Sequence, residues 1–529
     1  MLLPYNSTAR NACATGMKTP RGLTGRGAPH TLDGMAQDKI LSSSICYSSL
    51  RELAKAIREK KVSPVEVVEA HLEQIARLQP KLNAFVHVDA EGALAQAREA
   101  EKAVSKSAKS EGESGSLGAL GKTTDGAALG PLHGVPLSVK SCIDVAGWPA
   151  AAGSRLRKEY LAETDAPLVA RLRAGGAVLL GSTNTPEYLM AYETDNALSG
   201  KTSNPWNLER SSGGSSGGEA AAIAAGCSAG GVGSDGGGSV RVPAHFCGIC
   251  GLKPTPGRIP ATGHFPPGGG AFGWIGAVGP MARTVADVRA LFEVMVGPEA
   301  GDALSAPVPV RKISMAELRE TKIGVLESAA LGRPTPETAA AVETAARILS
   351  DQGFVVEQKQ VSGLDRALEL WWYFFGPAIA HIIRESAAGQ EALMSPMLRE
   401  FVALATAEKE MVYSEFLHAC GERDKVRGEI LRQMQDVPIL LSAVSAGPAF
   451  RHGAGSWRRG EPECYRDTMR FSQWLNLAGF PGMAVPVGMS PEGLPIAVQV
   501  IGRPHEEELV MAVAEAIEEG RGCWQAPPL

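Results

Sequence analysis

Three consecutive glycines run directly into a serine in VGSDGGGSVRVP, residues 232–243, inside a segment whose valines otherwise alternate as in a strand. Glycine gives a strand nothing to pack and weakens its pairing, so such a run marks a place where bare backbone is required. Upstream, Ser211-Ser212-Gly213-Gly214-Ser215-Ser216-Gly217-Gly218 leads into EAAAIAAG, a run of strong helix formers that ends in glycine. Small residues there let the backbone approach another element closely, and the first helical N–H groups stay unpaired and favour negative charge.

Around this region helices alternate with apolar strands. Ser63-Pro64-Val65-Glu66 is a capping box with proline at the first helical position, and VVEAHLEQIARL continues it with helical periodicity. GVPLSVK at 134–140 reads as a short strand ending in lysine; a helix opens near Thr164-Asp165 and stops at Gly175-Gly176, and AVLLG at 177–181 is a second buried strand. This alternation predicts an α/β core with parallel pairings. Residues 101–131 shift to Ser, Gly, Lys, Glu and Ala and read as a linker or surface insertion.

Composition removes several classes of function. With a formal net charge of -5 over 529 residues and no Lys/Arg-rich run, the chain carries no polybasic groove for nucleic acid. Two strongly apolar uncharged stretches, 370–383 and 437–450, hold fourteen residues each and contain proline. Both fall short of the roughly 20 residues that span a bilayer. The first, LWWYFFGPAIAHII, is unusually aromatic and reads as a core helix, a pocket wall or a membrane-surface contact. Residues 1–40 lack a basic stretch followed by an apolar one and read as a flexible tail with Met17 and Met35 as alternative starts, so the expected location is cytoplasmic. Nine scattered cysteines fit free thiols, and Cys247-Gly248-Ile249-Cys250 reads as two buried apolar residues because no second pair completes a zinc site.

Three chemistries compete for the glycine-rich block. A phosphate loop needs G-x-x-x-x-G-K-[ST], or a strand leading into G-x-G-x-x-G, and Gly213 has neither the lysine nor the strand. Gly213-Gly214-Ser215-Ser216-Gly217 matches the G-x-S-x-G nucleophile elbow, yet NPWNLERSS before it is not a hydrophobic strand, and no histidine has a distinctive context. The remaining reading is a serine nucleophile whose base is lysine. A buried lysine can take a serine proton once desolvation depresses its pKa from about 10.4 towards roughly 7–8. Lys140, at the end of an apolar strand, is the candidate.

GVPLSVK (134–140), GGSSGG (213–218) and SDGGGSVRVPAHFCGICGLKP (234–254) together resemble the amidase signature family of serine hydrolases, in the right order and with a 24-residue interval from Ser215 to Ser239. GPMART at 279–284, NLAGFPGMAVP at 476–486 and GLPIAVQVIG at 493–502 extend the resemblance over residues 45–518. GGSSGGEAA and FCGICGLKP are similar to the fatty-acid-amide-hydrolase-like bacterial branch. The resemblance implies an α/β amidase-signature fold, a large mixed twisted β-sheet with helices on both faces, formed by residues 41–529 as a single domain. It implies a Ser-Ser-Lys triad in which Lys140 is the neutral base, Ser215 the bridging serine on a cis peptide and Ser239 the nucleophile. The N–H groups of Gly236, Gly237, Gly238 and Ser239 would form the oxyanion hole, with Ser216, Asp235 and Arg241 in support. It calls for no cofactor and no metal.

Two departures bear on function. Ser141 follows Lys140 where many members carry aspartate, which changes the surroundings of the base. LKPTPGRIP at 252–260 differs from the LKPTYGRVS usual in glutaminase subunits of the aminoacyl-tRNA amidotransferase, which argues against that role. Residues 300–435 form the variable pocket region. The expected activity is hydrolysis of apolar or aryl carboxamides; a carbamate (urethanase) or ester hydrolase with the same triad is the alternative, and an amidotransferase subunit or a catalytically silent binding protein are the outlying ones. The expected partners are a small-molecule amide or carbamate substrate and at most a second copy in a homodimer, with no nucleic acid and no membrane span.

Overall fold

The computed structural model describes residues 45–111, 129–407 and 412–529. The tail expected at 1–40 and most of the segment expected as an insertion lie outside these residues. Of the described parts of that segment, 101–111 belongs to a helix, Ala90–Glu111, and 129–131 lie outside any helix or strand.

Eleven strands form one mixed sheet. In chain order they are β1 (Phe85–Val88), β2 (Pro136–Lys140), β3 (Val178–Thr183), β4 (Gly230–Asp235), β5 (Cys250–Lys253), β6 (Ala277–Ala282), β7 (Lys322–Glu327), β8 (Val355–Gln360), β9 (Ile439–Ala443), β10 (Gly482–Met489) and β11 (Pro495–Ile501). The spatial order is β1-β3-β2-β4-β6-β5-β10-β11-β9-β7-β8. β2 runs parallel to both β3 and β4, in the registers Val139 with Ser182 and Val139 with Val232. β4 is antiparallel to β6 along its full length, out to Asp235 opposite Ala277. Helices flank the sheet, and the amidase-signature α/β architecture expected from the sequence is the one observed.

This topology positions the functional region. β2, β3 and β4 are parallel and buried along their full length, so their carboxyl ends open on one edge and deliver Lys140, Thr183 and Asp235 there. Crevices outside the carboxyl ends of adjacent parallel strands are where ligands bind in α/β sheets. The helix grown from the small-residue run, Gly217–Ala224, packs against these strands with all eight residues buried.

Two segments differ from the sequence expectation. The valine alternation after Ser239 reads as a strand, but Arg241–Cys247 is a helix. Its first N–H groups, those of Val240 and Arg241, donate to Asp235 Oδ2 at 3.1 and 3.5 Å, and this tertiary cap overrides the β-propensity of the valines. The aromatic stretch at 370–383 is two helices, Leu364–Phe375 and Pro377–Ser386, broken at Gly376. Cys247 and Cys250 are buried free thiols. Among the described residues no helix is long and apolar enough to cross a membrane.

The capping box at Ser63 forms as the sequence predicts: Ser63 Oγ accepts from Val65 N at 3.0 Å, and Glu66 reaches back to Ser63 N at 2.8 Å. Ser63→Ala should lower the free energy of unfolding by about 1 kcal/mol in urea denaturation, with activity unchanged.

Candidate active site

Lys140 is fully buried at the end of β2, and its Nζ donates to Ser215 Oγ at 2.7 Å and to Ser234 Oγ at 3.1 Å. Burial pushes its pKa down to about 8, against the opposing pull of Cys142, Asp235 and Glu219. A lysine in this state can lose its proton just above neutral pH rather than remaining a fixed cation. Ser215 follows a cis Gly214–Ser215 bond, and its carbonyl accepts from Thr185 Oγ1 at 2.8 Å. Ser216 spans the two glycine-rich segments: its N–H donates to Ser239 O at 3.1 Å, while its hydroxyl donates to Ser234 O and accepts from Ser234 N, both at 3.3 Å.

Glu219, one turn into the same helix, is fully buried and accepts from the hydroxyls of Ser138 and Thr183. Burial raises its carboxyl to about 7, with the two hydroxyls and Lys140 opposing. Ser138 and Lys140 are two residues apart on β2 and share a face, so this carboxyl sits on the side of the sheet that carries Lys140.

The chain leaves the sheet after Asp235. Asp235 accepts from Gly238 N at 2.6 Å and Val240 N at 3.1 Å, from Arg241 Nε and Nη2 at 3.0 Å each, and from Asn476 Nδ2 at 3.0 Å. Arg241 continues to Gln499 at 2.8 Å and to Asn476 at 2.6 Å. Burial would raise the Asp235 carboxyl, but Arg241, Lys253 and the Val240 N–H outweigh it and hold it well below the usual carboxylate range.

On the other side of the loop, Trp371 Nε1 donates to Gly236 O at 2.8 Å and Tyr192 OH to Gly237 O at 2.6 Å. A Cβ at Gly237 would lie 2.5 Å from the Trp371 ring, and Gly238 has φ +126, so neither position admits a side chain without strain. The loop is therefore pinned by both of its carbonyls.

Of the four N–H groups expected to form an oxyanion hole, that of Gly238 donates to the Asp235 carboxylate at 2.6 Å. The N–H groups of Gly236, Gly237 and Ser239 make no hydrogen bond among the described residues. Ser239 and Ser215 line the same cavity, although the Ser239 hydroxyl has no hydrogen-bond partner among the described residues. The lining includes the apolar side chains of Leu189, Met190, Ile259, Phe272, Leu304 and Phe375, together with His264 and Asp302.

Sequence reasoning missed Tyr192, Trp371, Asn476 and Glu219 as members of this site. Trp371 lay in the aromatic run and Asn476 in the NLAGFPG stretch, so both stood in noticed segments without a role, whereas nothing local distinguishes Tyr192. Arg241→Met should lower stability by about 3–5 kcal/mol in denaturant titration, because it leaves the Asp235 carboxylate buried without its main counter-charge. Retention of wild-type stability would show that Asn476 and the backbone donors suffice.

Comparison with known proteins assigns this architecture. The Amidase family model matches residues 66–511. The chain is 33% identical over 495 residues to a glutamyl-tRNA(Gln) amidotransferase subunit of Roseiflexus sp. (strain RS-1), covering 89% of this chain and 96% of that one. It is 34% identical over 485 residues to the indoleacetamide hydrolase of Bradyrhizobium diazoefficiens, covering 89% and 86%. A fatty acid amide hydrolase structure superposes with a TM-score of 0.79 at 23% identity, over 93% of this chain and 89% of that one, which shows a shared fold. These relatives overturn the expected exclusion of nucleic acid and of any partner beyond a second copy. Matches along nearly the whole chain are to an enzyme subunit named for a tRNA. The local departure at LKPTPGRIP carries little weight against identity spread over the chain, and a modest net charge describes one chain rather than the surface an assembly presents. The chain belongs to the amidase signature family of serine hydrolases and is an enzyme that hydrolyses carbon–nitrogen bonds.

Proposed function

We propose that the enzyme hydrolyses apolar or aryl carboxamides, with Ser239 as nucleophile, Ser215 as proton bridge and Lys140 as base. The observation that carries this reading is the cavity itself, where Ser215 and Ser239 face walls built from Leu189, Met190, Ile259, Phe272, Leu304 and Phe375. Such walls favour an acyl or aryl group that gains by leaving water. The 34% identical relative named indoleacetamide hydrolase, whose name specifies an aryl-bearing amide, supports the same class.

In this scheme Ser239 Oγ attacks the carboxamide carbon while its proton passes through Ser215 to Lys140. The free N–H groups of Gly236, Gly237 and Ser239 accommodate the oxyanion. The carbon–nitrogen bond breaks as the proton returns from Lys140 through Ser215 to the leaving nitrogen, and water then releases the acid by the same path.

A second reading places the same nucleophile in a multi-component amidotransferase, and the 33% identity to one component of such an enzyme favours it. Turnover of a series of amides, with products identified by mass, separates the two. Aryl and long-chain amides should be cleaved by the isolated chain in preference to glutamine; cleavage of glutamine alone, or only after partner chains are added, would favour the amidotransferase reading.

Ser239→Ala and Lys140→Ala should each lower kcat/KM by at least about three orders of magnitude while leaving thermal unfolding intact. Because the base must be neutral to accept a proton, kcat/KM should rise with pH through a midpoint near about 8. A profile that stays flat between roughly pH 6 and roughly pH 9 would remove Lys140 from the role.

A further inference from the structure

A second polar chain reaches Lys140 from the cavity wall, and the acyl-transfer scheme leaves it idle. His264 lines the cavity, and its Nε2 lies 3.4 Å from Cys142 Sγ. Cys142 Sγ in turn lies 3.8 Å from Ser234 Oγ, the hydroxyl that accepts from Lys140 Nζ at 3.1 Å. The sequence thus continues from Ser215 through Lys140, Ser234 and Cys142 to His264.

The backbone fixes this pair. Phe265 N donates to Cys142 O and Asp144 N to Gly263 O, both at 2.8 Å, and Ile143 bridges to His264. Cys142, two residues beyond the base, is itself fully buried, so its thiol has no solvent to exchange with and faces the imidazole instead. His264 Nδ1 lies 2.9 Å from Pro266 O; an N–H there donates to that carbonyl and leaves Nε2 as the acceptor that meets the thiol.

We propose that Cys142 and His264 form a proton-sharing pair that acts, through Ser234, as the positioning and charge-setting partner of Lys140. Transfer of the thiol proton from Sγ to Nε2 breaks the S–H bond, forms an N–H bond and leaves a thiolate beside the lysine and an imidazolium at the cavity wall. Burial alone would raise the thiol, but His264 and Lys140 outweigh it and bring it below its ordinary value. Of the groups that pull the lysine back towards its charged form, Cys142 is the largest contributor. The other charges facing Lys140 are Asp235 from β4 and Glu219 from the helix Gly217–Ala224. Towards His264 they are Asp144, and Arg157, which stacks over the Phe265 ring next to it. Neither Asp235 nor Glu219 hydrogen-bonds His264, so among the described residues it is Cys142 that links His264 to Lys140, by way of Ser234.

The inference rests on Lys140 being the base, and the pH profile of kcat/KM tests the two separately. Removing a negative charge beside Lys140 lowers its proton affinity, so the rising limb should move to lower pH. Cys142→Ala and His264→Ala should each displace it by about half a unit or more. The double variant should move it no further than the larger single shift, since both substitutions remove one interaction. Cys142→Ser keeps the size and hydrogen bonding of the thiol without its acidity, and should shift the limb as alanine does. A limb that stays at its wild-type position in the single variants, a serine variant that restores the wild-type limb, or additive shifts in the double variant would each overturn the proposal. Full activity of Lys140→Ala would instead overturn the base assignment. Thermal unfolding of each variant reports separately on packing.

Discussion

The Asp235–Arg241 pair, both side chains wholly removed from solvent, organises everything that follows β4. A buried ion pair survives only when hydrogen bonds satisfy the rest of each group, and here the remaining donors and acceptors come from Asn476, Gln499, Gly238 and Val240. One carboxylate therefore ends a strand, turns a loop and starts the helix Arg241–Cys247. The same contacts tie β4 to the helix Arg470–Ala478 and to β11, segments far along the chain.

The loop held in this way is clamped between two kinds of partner. Asp235 takes the N–H of Gly238 from one side, and Trp371 and Tyr192 take the carbonyls of Gly236 and Gly237 from the other. With its carbonyls bound, the loop leaves the N–H groups of Gly236, Gly237 and Ser239 without hydrogen-bond partners among the described residues. The Lys140 side obeys the opposite logic. Its group is poised by burial and its charge state is balanced by neighbouring acids, so small changes in Cys142, Glu219 or Asp235 are felt as changes in protonation.

Much of this was legible in local patterns along the chain. The capping box at Ser63, the strand ending in Lys140, the small-residue helix after Gly217 and the α/β alternation are such patterns, and each forms within a residue or two of its expected place. The helix at Arg241–Cys247 was not legible, because its valines favour a strand and its cap comes from a residue six positions back whose orientation depends on Arg241 and Asn476. Nor was the bond from the Gly238 N–H to Asp235, since three adjacent glycines are equivalent in sequence and only the turn decides which N–H meets the carboxylate.

By itself the sequence determined the chemistry available: a lysine at a strand end, two serines 24 residues apart and a glycine run before the second. These are short-range patterns with few physical solutions, and their order along the chain carries the family resemblance. Only the tertiary structure decided the environment of each group. Burial of Lys140, the anchoring of the loop by Tyr192 and Trp371, the apolar walls from Phe272 and Phe375, and the approach of His264 to Cys142 join segments far apart in sequence. Such proximity arises from sheet order and helix packing, so no local pattern encodes it.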